Sequence, residues 1–120
     1  MTRDEILNMQ AGKQMRELVA TRVMGWVIVW PASFDDRPKE YWQDLHTKEA
    51  RSVEAWHPDE NMVDAWLIVN TIMYDTKNDC NMASYGGHWR CIFSRGNASA
   101  ETAPLAICRA ALLAVMEDDK

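Results

Sequence analysis

The stretch that decides the fold reads Glu101-Thr102-Ala103-Pro104-Leu105-Ala106-Ile107-Cys108-Arg109-Ala110-Ala111-Leu112. It has the start signals of a helix, because Thr102 is a suitable N-cap and Pro104 falls in the first turn, where its missing N–H is not needed. Apolar residues follow at helical spacing, and the alanines between them let the backbone approach a sheet closely. The stretch therefore predicts a helix packed on a sheet, and it carries no catalytic motif.

The composition limits the class of protein. With 120 residues, of which 48% are hydrophobic and 26% charged, the chain predicts a single globular domain over residues 1–120. A net charge of -5 argues against duplex nucleic acid as a partner, since such binders show a basic face. No apolar run is long enough to cross a bilayer, and the first residues lack the pattern of a secretory signal. We therefore expect no membrane partner and a cytoplasmic location.

Cysteine and histidine give no sign of a reactive or metal site. Cys80, Cys91 and Cys108 are expected to be buried free thiols in a reducing compartment. The chain has no Cys-x-x-Cys pair, and its three histidines match no zinc or iron spacing, so we expect neither metal nor cofactor. Cys91 beside Arg90 comes closest to an activated thiol, but neighbours on a strand point to opposite faces. No catalytic residue is predicted, and we expect the protein not to be an enzyme.

The first 30 residues predict a helix and then a strand. Thr2 and Glu5 are spaced as a capping box for a long helix that ends at Gly25. The β-branched and aromatic run from Trp26 to Trp30 predicts a strand.

Residues 31–58 predict a long irregular loop, which is either a functional surface or an element without a clear signal. Within it, Tyr41-Trp42 begins either a strand that pairs with the first strand or a helix, and the periodicity does not decide.

The second half predicts a helix, a hairpin and the helix quoted above. An acidic turn at Pro58 with a cap at Asp59 or a neighbour starts the second helix. Its core stripe is predicted to contain Met62, Trp66, Val69 and Met73, widened by Val63, Leu67 and Ile72. Residues 80–94 alternate as two strands joined by Gly86-Gly87. The element order predicts an α+β protein, a three-layer α/β/α sandwich whose small, mostly antiparallel sheet has helices on both faces.

Four blocks resemble the phage ABA sandwich domain of small phage and prophage proteins, and they span nearly the whole chain in the order of the family. They are Val19 to Trp26 with its Val23-Met24-Gly25-Trp26 core, Tyr41-Trp42-Gln43-Asp44, Pro58 to Met73 with Ala65-Trp66 at its centre, and Thr102 to Leu112. The chain departs from the family where the second helix begins, since His57-Pro58-Asp59-Glu60-Asn61 replaces a turn rich in Ser and Thr. The resemblance implies the sandwich fold, a phage or prophage origin and action inside the infected bacterial cell. It implies no catalytic activity.

Aromatic and basic side chains form the candidate binding site. Tryptophan can stack a base and arginine can grip phosphate, so the candidate ligand-binding residues are Trp26, Trp30, Tyr41, Trp42, Trp56, Arg90, Arg95, Thr102 and Arg109. The alternative is that Trp26, Trp66 and Trp89 only fill the core. Trp30, Trp42 and Trp56 lie in or beside the irregular loop, so these three are expected to be exposed.

Three functions remain at this point. The first is a non-enzymatic anti-defence protein that binds and sequesters a small nucleotide immune signal. The second is an adaptor or inhibitor that binds a host protein through its tryptophan-bearing loop. The third is an enzyme acting on a nucleotide or small metabolite, for which the sequence offers no motif. An exposed tryptophan surface also predicts a homo-oligomer.

Overall fold

The computed structural model describes residues 2–29, 40–76, 80–93 and 96–116. Its helices are α1 (Arg3–Leu7), α2 (Lys13–Leu18), which runs on as a π-helical segment (Val19–Val23), α3 (Met62–Thr76), preceded by a 3₁₀ turn (Val53–Ala55), and α4 (Ala103–Met116). Its strands are β1 (Val27–Val29), β2 (Tyr41–Gln43), β3 (Ala50–Ser52), β4 (Cys80–Tyr85), β5 (His88–Phe93) and β6 (Asn97–Ala100).

Within the described ranges, the strands form two antiparallel sheets of three strands each, ordered β1-β2-β3 and β4-β5-β6. The predicted α+β class with antiparallel strands is therefore confirmed. The prediction of one sheet is corrected to two. Strands that follow one another in sequence usually pair, and here α3 separates the first three strands from the last three.

The predicted long first helix is interrupted, because α1 ends at Leu7 and α2 begins at Lys13. The predicted cap is present, since the Thr2 hydroxyl accepts a hydrogen bond from the Glu5 amide at 3.2 Å. Gly25 follows the π-helical segment with φ at +71°, the left-handed conformation expected where a helix ends.

A buried carboxylate holds the start of α2. Asp59 Oδ2 accepts from the Gly12 amide at 2.7 Å, and its Oδ1 accepts from Arg16 Nε at 2.8 Å. Because both oxygens of Asp59 are used at α2, Asp59 does not cap α3. The predicted cap is supplied by its neighbour Asn61, whose side-chain oxygen accepts from the Val63 amide at 2.8 Å.

The predicted irregular loop at residues 31–58 contains two strands and a 3₁₀ turn. Tyr41-Trp42 belongs to β2, which pairs with β1 and β3, so the strand alternative is the right one. Residues 31–39 of this segment lie outside the described residues.

The second sheet confirms the predicted hairpin and adds a strand. Gly86 and Gly87 join β4 and β5 with φ of +50° and +91°, as a tight primed turn requires. The added strand, β6, has the composition Asn-Ala-Ser-Ala, which lacks the β-branched and aromatic residues that signal a strand.

α4 is the central element, and its residues 105–114 are all buried. It contacts β5 and β6 as well as α3 and the π-helical segment. The predicted start is confirmed, since the Thr102 hydroxyl accepts from the Leu105 amide at 3.4 Å. A Cβ at Gly96 would lie 2.6 Å from the Ala114 amide nitrogen, so Gly96 lies directly on the helix backbone.

Candidate functional site

The tryptophans are distributed differently from the prediction. Trp42 and Trp56, expected to be exposed, retain 2% and 0% of their accessible surface, whereas Trp66 and Trp89, proposed as core, retain 51% and 38%. Trp42 lies in the middle strand of its sheet. Trp26 is buried, as its core interpretation requires.

Trp56 is held in the core by a polar contact, because its indole N–H donates to the Arg16 carbonyl at 3.2 Å. Trp30 and Arg95, also predicted as ligand-binding residues, lie outside the described residues.

The two remaining arginine candidates, Arg90 and Arg109, both donate hydrogen bonds within the protein. Arg109 is buried, and its guanidinium donates to the Met9 carbonyl from Nε at 2.9 Å and from Nη2 at 2.7 Å, and to the Ser99 carbonyl from Nη1 at 3.0 Å. Arg90 is exposed, and its Nε donates to Asn97 Oδ1 at 2.9 Å. Arg109 thus ties the segment after α1 to β6.

The structure brings two of the described candidate residues, Trp26 and Trp42, to a common cavity. Tyr41 is half-buried in β2, and Thr102 caps α4. We call this cavity the tryptophan cavity; it measures about 270 Å³ and is lined by Trp26, Trp42, Asp44, Glu49, Ala50 and Arg51.

The strand register explains this lining. Trp42 pairs with Arg51 across β2 and β3, so the two side chains share one face of the sheet. Arg51 was not among the predicted site residues, because its place opposite Trp42 depends on β3, which lies in the segment predicted as an irregular loop.

Arg51 stacks on a pair of tryptophans. Its Cζ lies 5.1 Å from the ring centre of Trp26 and 5.4 Å from that of Trp56. The two rings meet edge to face, with centres 4.7 Å apart and planes at 61°. Arg51 Nη1 also lies 3.7 Å from Asp64 Oδ1, and Asp64 Oδ2 accepts from the His57 amide at 2.9 Å. These contacts fix the guanidinium at the cavity wall.

The cavity also carries an indole donor and carboxylate acceptors. Asp44 Oδ1 accepts from the backbone amides of His46 at 2.8 Å and Thr47 at 3.2 Å. These two bonds lower the pKa of Asp44, with a smaller contribution from the nearby Trp26 indole. The Trp26 N–H is buried beside the Asp44 carboxylate, and this contact is the smaller contribution to the lowered pKa. With Glu49 also in the lining, the cavity holds two carboxylates and one guanidinium.

A second surface lies along α3. Met62, Trp66 and Met73, predicted to face the core, are exposed, and Val69 alone of the predicted four is buried. The side chains that do face the core are Ala65, Ile68, Val69 and Ile72. Their spacing is that of a helix face, but α3 is apolar on neighbouring faces, so periodicity could not select this one.

We call the exposed apolar side of this helix the α3 face, which consists of Met62, Val63, Trp66, Met73 and Tyr74. Beside it runs an open groove of about 860 Å³, lined by Met24, Asp44, His46, Thr47, Leu67, Asn70, Thr71, Met73 and Tyr74. An exposed apolar patch of this kind is typical of a surface that binds another macromolecule.

The three cysteines are free thiols, as predicted, with Cys91 and Cys108 buried and Cys80 half-buried. Burial raises the pKa of all three thiols and therefore disfavours the nucleophilic thiolate.

Within the described ranges, no three His, Cys, Asp or Glu side chains are grouped as metal ligands. No described helix is both long and apolar enough to span a bilayer.

The two antiparallel sheets, the central α4 and the helices around it define a small α+β sandwich domain. The phage ABA sandwich domain model matches residues 17–112, and the chain belongs to that family. The fold is similar to the crystal structure of a phage protein from Bacillus cereus ATCC 14579, with a TM-score of 0.54 and 22% sequence identity over 90% of this chain and 95% of that one. No curated protein matches the chain.

Proposed function

We propose that this phage-family protein acts by binding a host protein through the α3 face, as an adaptor or inhibitor in the cytoplasm of the infected cell, and not by catalysis. The observation that carries the proposal is the run of large apolar side chains exposed on one helix, from Met62 to Tyr74. An amphipathic helix that leaves such a side uncovered is suited to a hydrophobic groove on a partner.

The residue types on the α3 face support a protein interface. Trp66 and Tyr74 are large aromatic side chains, which dominate binding energies at interfaces, and Met62 and Met73 are flexible enough to adapt to a partner. Asn70 lies in the adjoining groove and is exposed, so a polar group accompanies the apolar side chains. The sequence favoured the loop at residues 31–58 as the binding surface, but its tryptophans Trp42 and Trp56 are buried, so we assign the binding surface to α3.

The experiment compares two exposed tryptophans. Wild type, Trp66→Glu and Trp89→Glu are each used to capture protein from a bacterial host extract, and the captured protein is then purified and titrated against all three. Trp66→Glu is expected to weaken binding at least about tenfold, the effect of losing one interface anchor. Trp89→Glu is the matched control, because Trp89 is exposed on β5, outside the α3 face.

The oligomeric state is measured first, by native mass spectrometry. A dimer that Trp66→Glu converts to a monomer would assign the α3 face to self-association and overturn the proposal of a host partner. Equal binding of the purified partner by all three proteins would also overturn it.

A second candidate function is capture of a small nucleotide signal as an anti-defence protein. The observation in its favour is the tryptophan cavity, with two aromatic side chains and a guanidinium in its wall. The test incubates the protein with cyclic nucleotides and ADP-ribose derivatives, denatures it and analyses what is released. Intact ligand supports sequestration, a changed ligand indicates an enzyme, and no depletion of any ligand contradicts both.

A further inference from the structure

We propose that β4 pairs with β4 of a second copy of this chain, antiparallel and about a two-fold axis between the two Met82 residues. The second sheets of the two copies would then join into one sheet of six strands. The proposal concerns self-association and goes beyond the proposed function. It uses no residue of the α3 face or of the tryptophan cavity.

The hydrogen bonds of the hairpin decide which backbone groups of β4 point away from β5. The tight glycine turn closes on Tyr85 and His88, and a turn of this kind bonds the two residues that it joins. Opposite residues of an antiparallel pair alternate between bonded and non-bonded pairs. The backbone groups of Cys80, Met82 and Ser84 therefore point outward, away from β5.

The other end of the hairpin gives the same alternation. Phe93, which lies opposite Cys80, donates its amide to the Gly96 carbonyl at 2.7 Å and accepts from the Gly96 amide at 3.3 Å. These bonds are on the β6 side, and a residue has a single backbone N–H to donate. Cys80 and Phe93 are thus a non-bonded pair, as counting from the turn requires.

The two edges of the second sheet differ in what meets them. On β6, the Ser99 carbonyl accepts from Nη1 of the buried Arg109 at 3.0 Å. On β4, no described residue forms a hydrogen bond with the outward backbone groups of Cys80, Met82 and Ser84. Unpaired groups along an edge strand are a template for pairing with another chain.

β4 also lacks the features that keep edge strands apart. Charged side chains and prolines commonly prevent an edge strand from pairing with another chain. The strand Cys80–Tyr85 reads Cys-Asn-Met-Ala-Ser-Tyr and contains neither. Two copies of this strand can therefore meet without like charges opposite each other.

The register follows from the two-fold symmetry, in which both copies use the same patch. With the axis at Met82, Cys80 of each strand lies opposite Ser84 of the other, and every outward-facing residue falls in a bonded pair. Cys80 and Met82 are half-buried at the margin of the hydrophobic core. The pairing therefore also covers apolar surface that a single chain leaves partly exposed.

A matched pair of variants at Ser84 tests the edge, with the dimer of the intact protein measured by sedimentation equilibrium. Ser84→Pro removes the outward N–H, and an edge strand tolerates proline where that N–H is not part of the ladder. It is expected to raise the dimer dissociation constant at least about tenfold, because the symmetry repeats the loss in both copies. Ser84→Ala keeps the N–H and is expected to dimerise as wild type.

Hydrogen exchange locates the interface. The amides of Cys80, Met82 and Ser84 are expected to exchange more slowly in a concentrated sample, where the wild type is dimeric, than in a dilute one. In Ser84→Pro, the amides of Cys80 and Met82 should exchange at the same rate in both samples. Trp66→Glu, which changes the α3 face, is expected to remain dimeric.

A wild type that is monomeric at every soluble concentration would overturn the proposal, as would equal dimerisation of Ser84→Pro and wild type. Loss of the dimer in Ser84→Ala would assign it to the side chain and refute pairing through the backbone. If Ser84→Pro does not fold, Asn81→Lys puts a charge at an exposed position of β4 instead. An unchanged dimer in Asn81→Lys would then refute the proposal.

The same variants separate this inference from the proposed function. A dimer that Trp66→Glu dissociates and Ser84→Pro does not would overturn both. A dimer that Ser84→Pro dissociates and Trp66→Glu does not supports the pairing of β4 and leaves the α3 face for a host partner. Binding of a captured host protein that is lost in Ser84→Pro, with a monomeric wild type, would assign the edge to a strand of that protein and refute the inference.

Discussion

The Arg51 guanidinium lies 5.1 Å from the ring centre of Trp26, on the same side of the first sheet as its cross-strand neighbour Trp42. One arginine thereby joins two buried tryptophans, since it also lies 5.4 Å from the ring centre of Trp56. The contact connects β3 to the residue before β1 and to the residue after the 3₁₀ turn, and Arg51 lines the tryptophan cavity. Arg51 therefore contributes both to stability and to the shape of the cavity.

Replacing Arg51 tests its contribution to stability. Arg51→Met keeps the apolar stem but removes the cation, and is expected to lower the free energy of unfolding by about 1–2 kcal/mol, the range for a cation stacked on aromatic rings. The ion pair with Asp64 adds little, because the arginine is partly exposed. Urea unfolding followed by tryptophan fluorescence measures the change. Arg90→Met, at an exposed arginine on β5, is the control, and an equal loss in both variants would contradict the stacking role.

Arg109 is expected to be structural. Arg109→Leu leaves the Met9 and Ser99 carbonyls without their donor, and should destabilise the protein by about 1–3 kcal/mol. Arg109→Lys should recover only part of this, because an ammonium cannot reproduce the planar fork of donors. Chemical denaturation of the three proteins gives the comparison. Wild-type stability in Arg109→Leu would show that the tether between the segment after α1 and β6 is unimportant.

Gly96 is expected to tolerate no side chain. A Cβ there would collide with the Ala110 carbonyl and come within 2.6 Å of the Ala114 amide nitrogen. Gly96→Ala should therefore force the start of β6 away from α4 and lower the free energy of unfolding by about 1–3 kcal/mol. Thermal unfolding by circular dichroism measures it, with Ser99→Ala at an exposed position of β6 as the control. A melting temperature unchanged by Gly96→Ala would contradict the close packing.

The thiols are expected to react in the order of their exposure. Burial raises the pKa of Cys80, Cys91 and Cys108, which reduces the thiolate available at a given pH. Native protein treated with iodoacetamide should be alkylated first at Cys80, the half-buried thiol, and at Cys108 only after unfolding. Mass spectrometry with Cys80→Ser as the control assigns the sites, and early alkylation of Cys108 would contradict the prediction.

The same shifts make stability depend on pH. The thiols stay protonated in the folded state above their ordinary pKa of 9.0, whereas they ionise in the unfolded chain. Their contribution to stability is therefore complete below that pKa and is lost as the pH rises above it. The free energy of unfolding should fall above about pH 9, and the fall should be smaller in Cys108→Ala than in wild type.

The candidate site was predicted less well than the fold, and the tryptophans show why. Trp66 was assigned to the core because it lies within an apolar helix, yet the face of α3 that packs inward is the one with Ala65 and Ile68. Trp42 and Trp56 were expected to be exposed because they lie in a segment without a periodic pattern. They are buried because Trp42 lies in β2, the middle strand of the first sheet, and Trp56 packs edge to face on Trp26.

The sequence by itself determined the elements whose signals are local. The cap at Thr102, the alanine-rich apolar run of α4 and the Gly86-Gly87 hairpin are each specified by neighbouring residues, since capping, periodicity and turn geometry act over a few positions. Only the tertiary structure decided that the strands form two sheets, that Arg51 meets Trp26, and that α3 leaves Trp66 in solvent. These outcomes depend on which distant surfaces pack together, and that choice is governed by the total apolar surface buried by the whole chain.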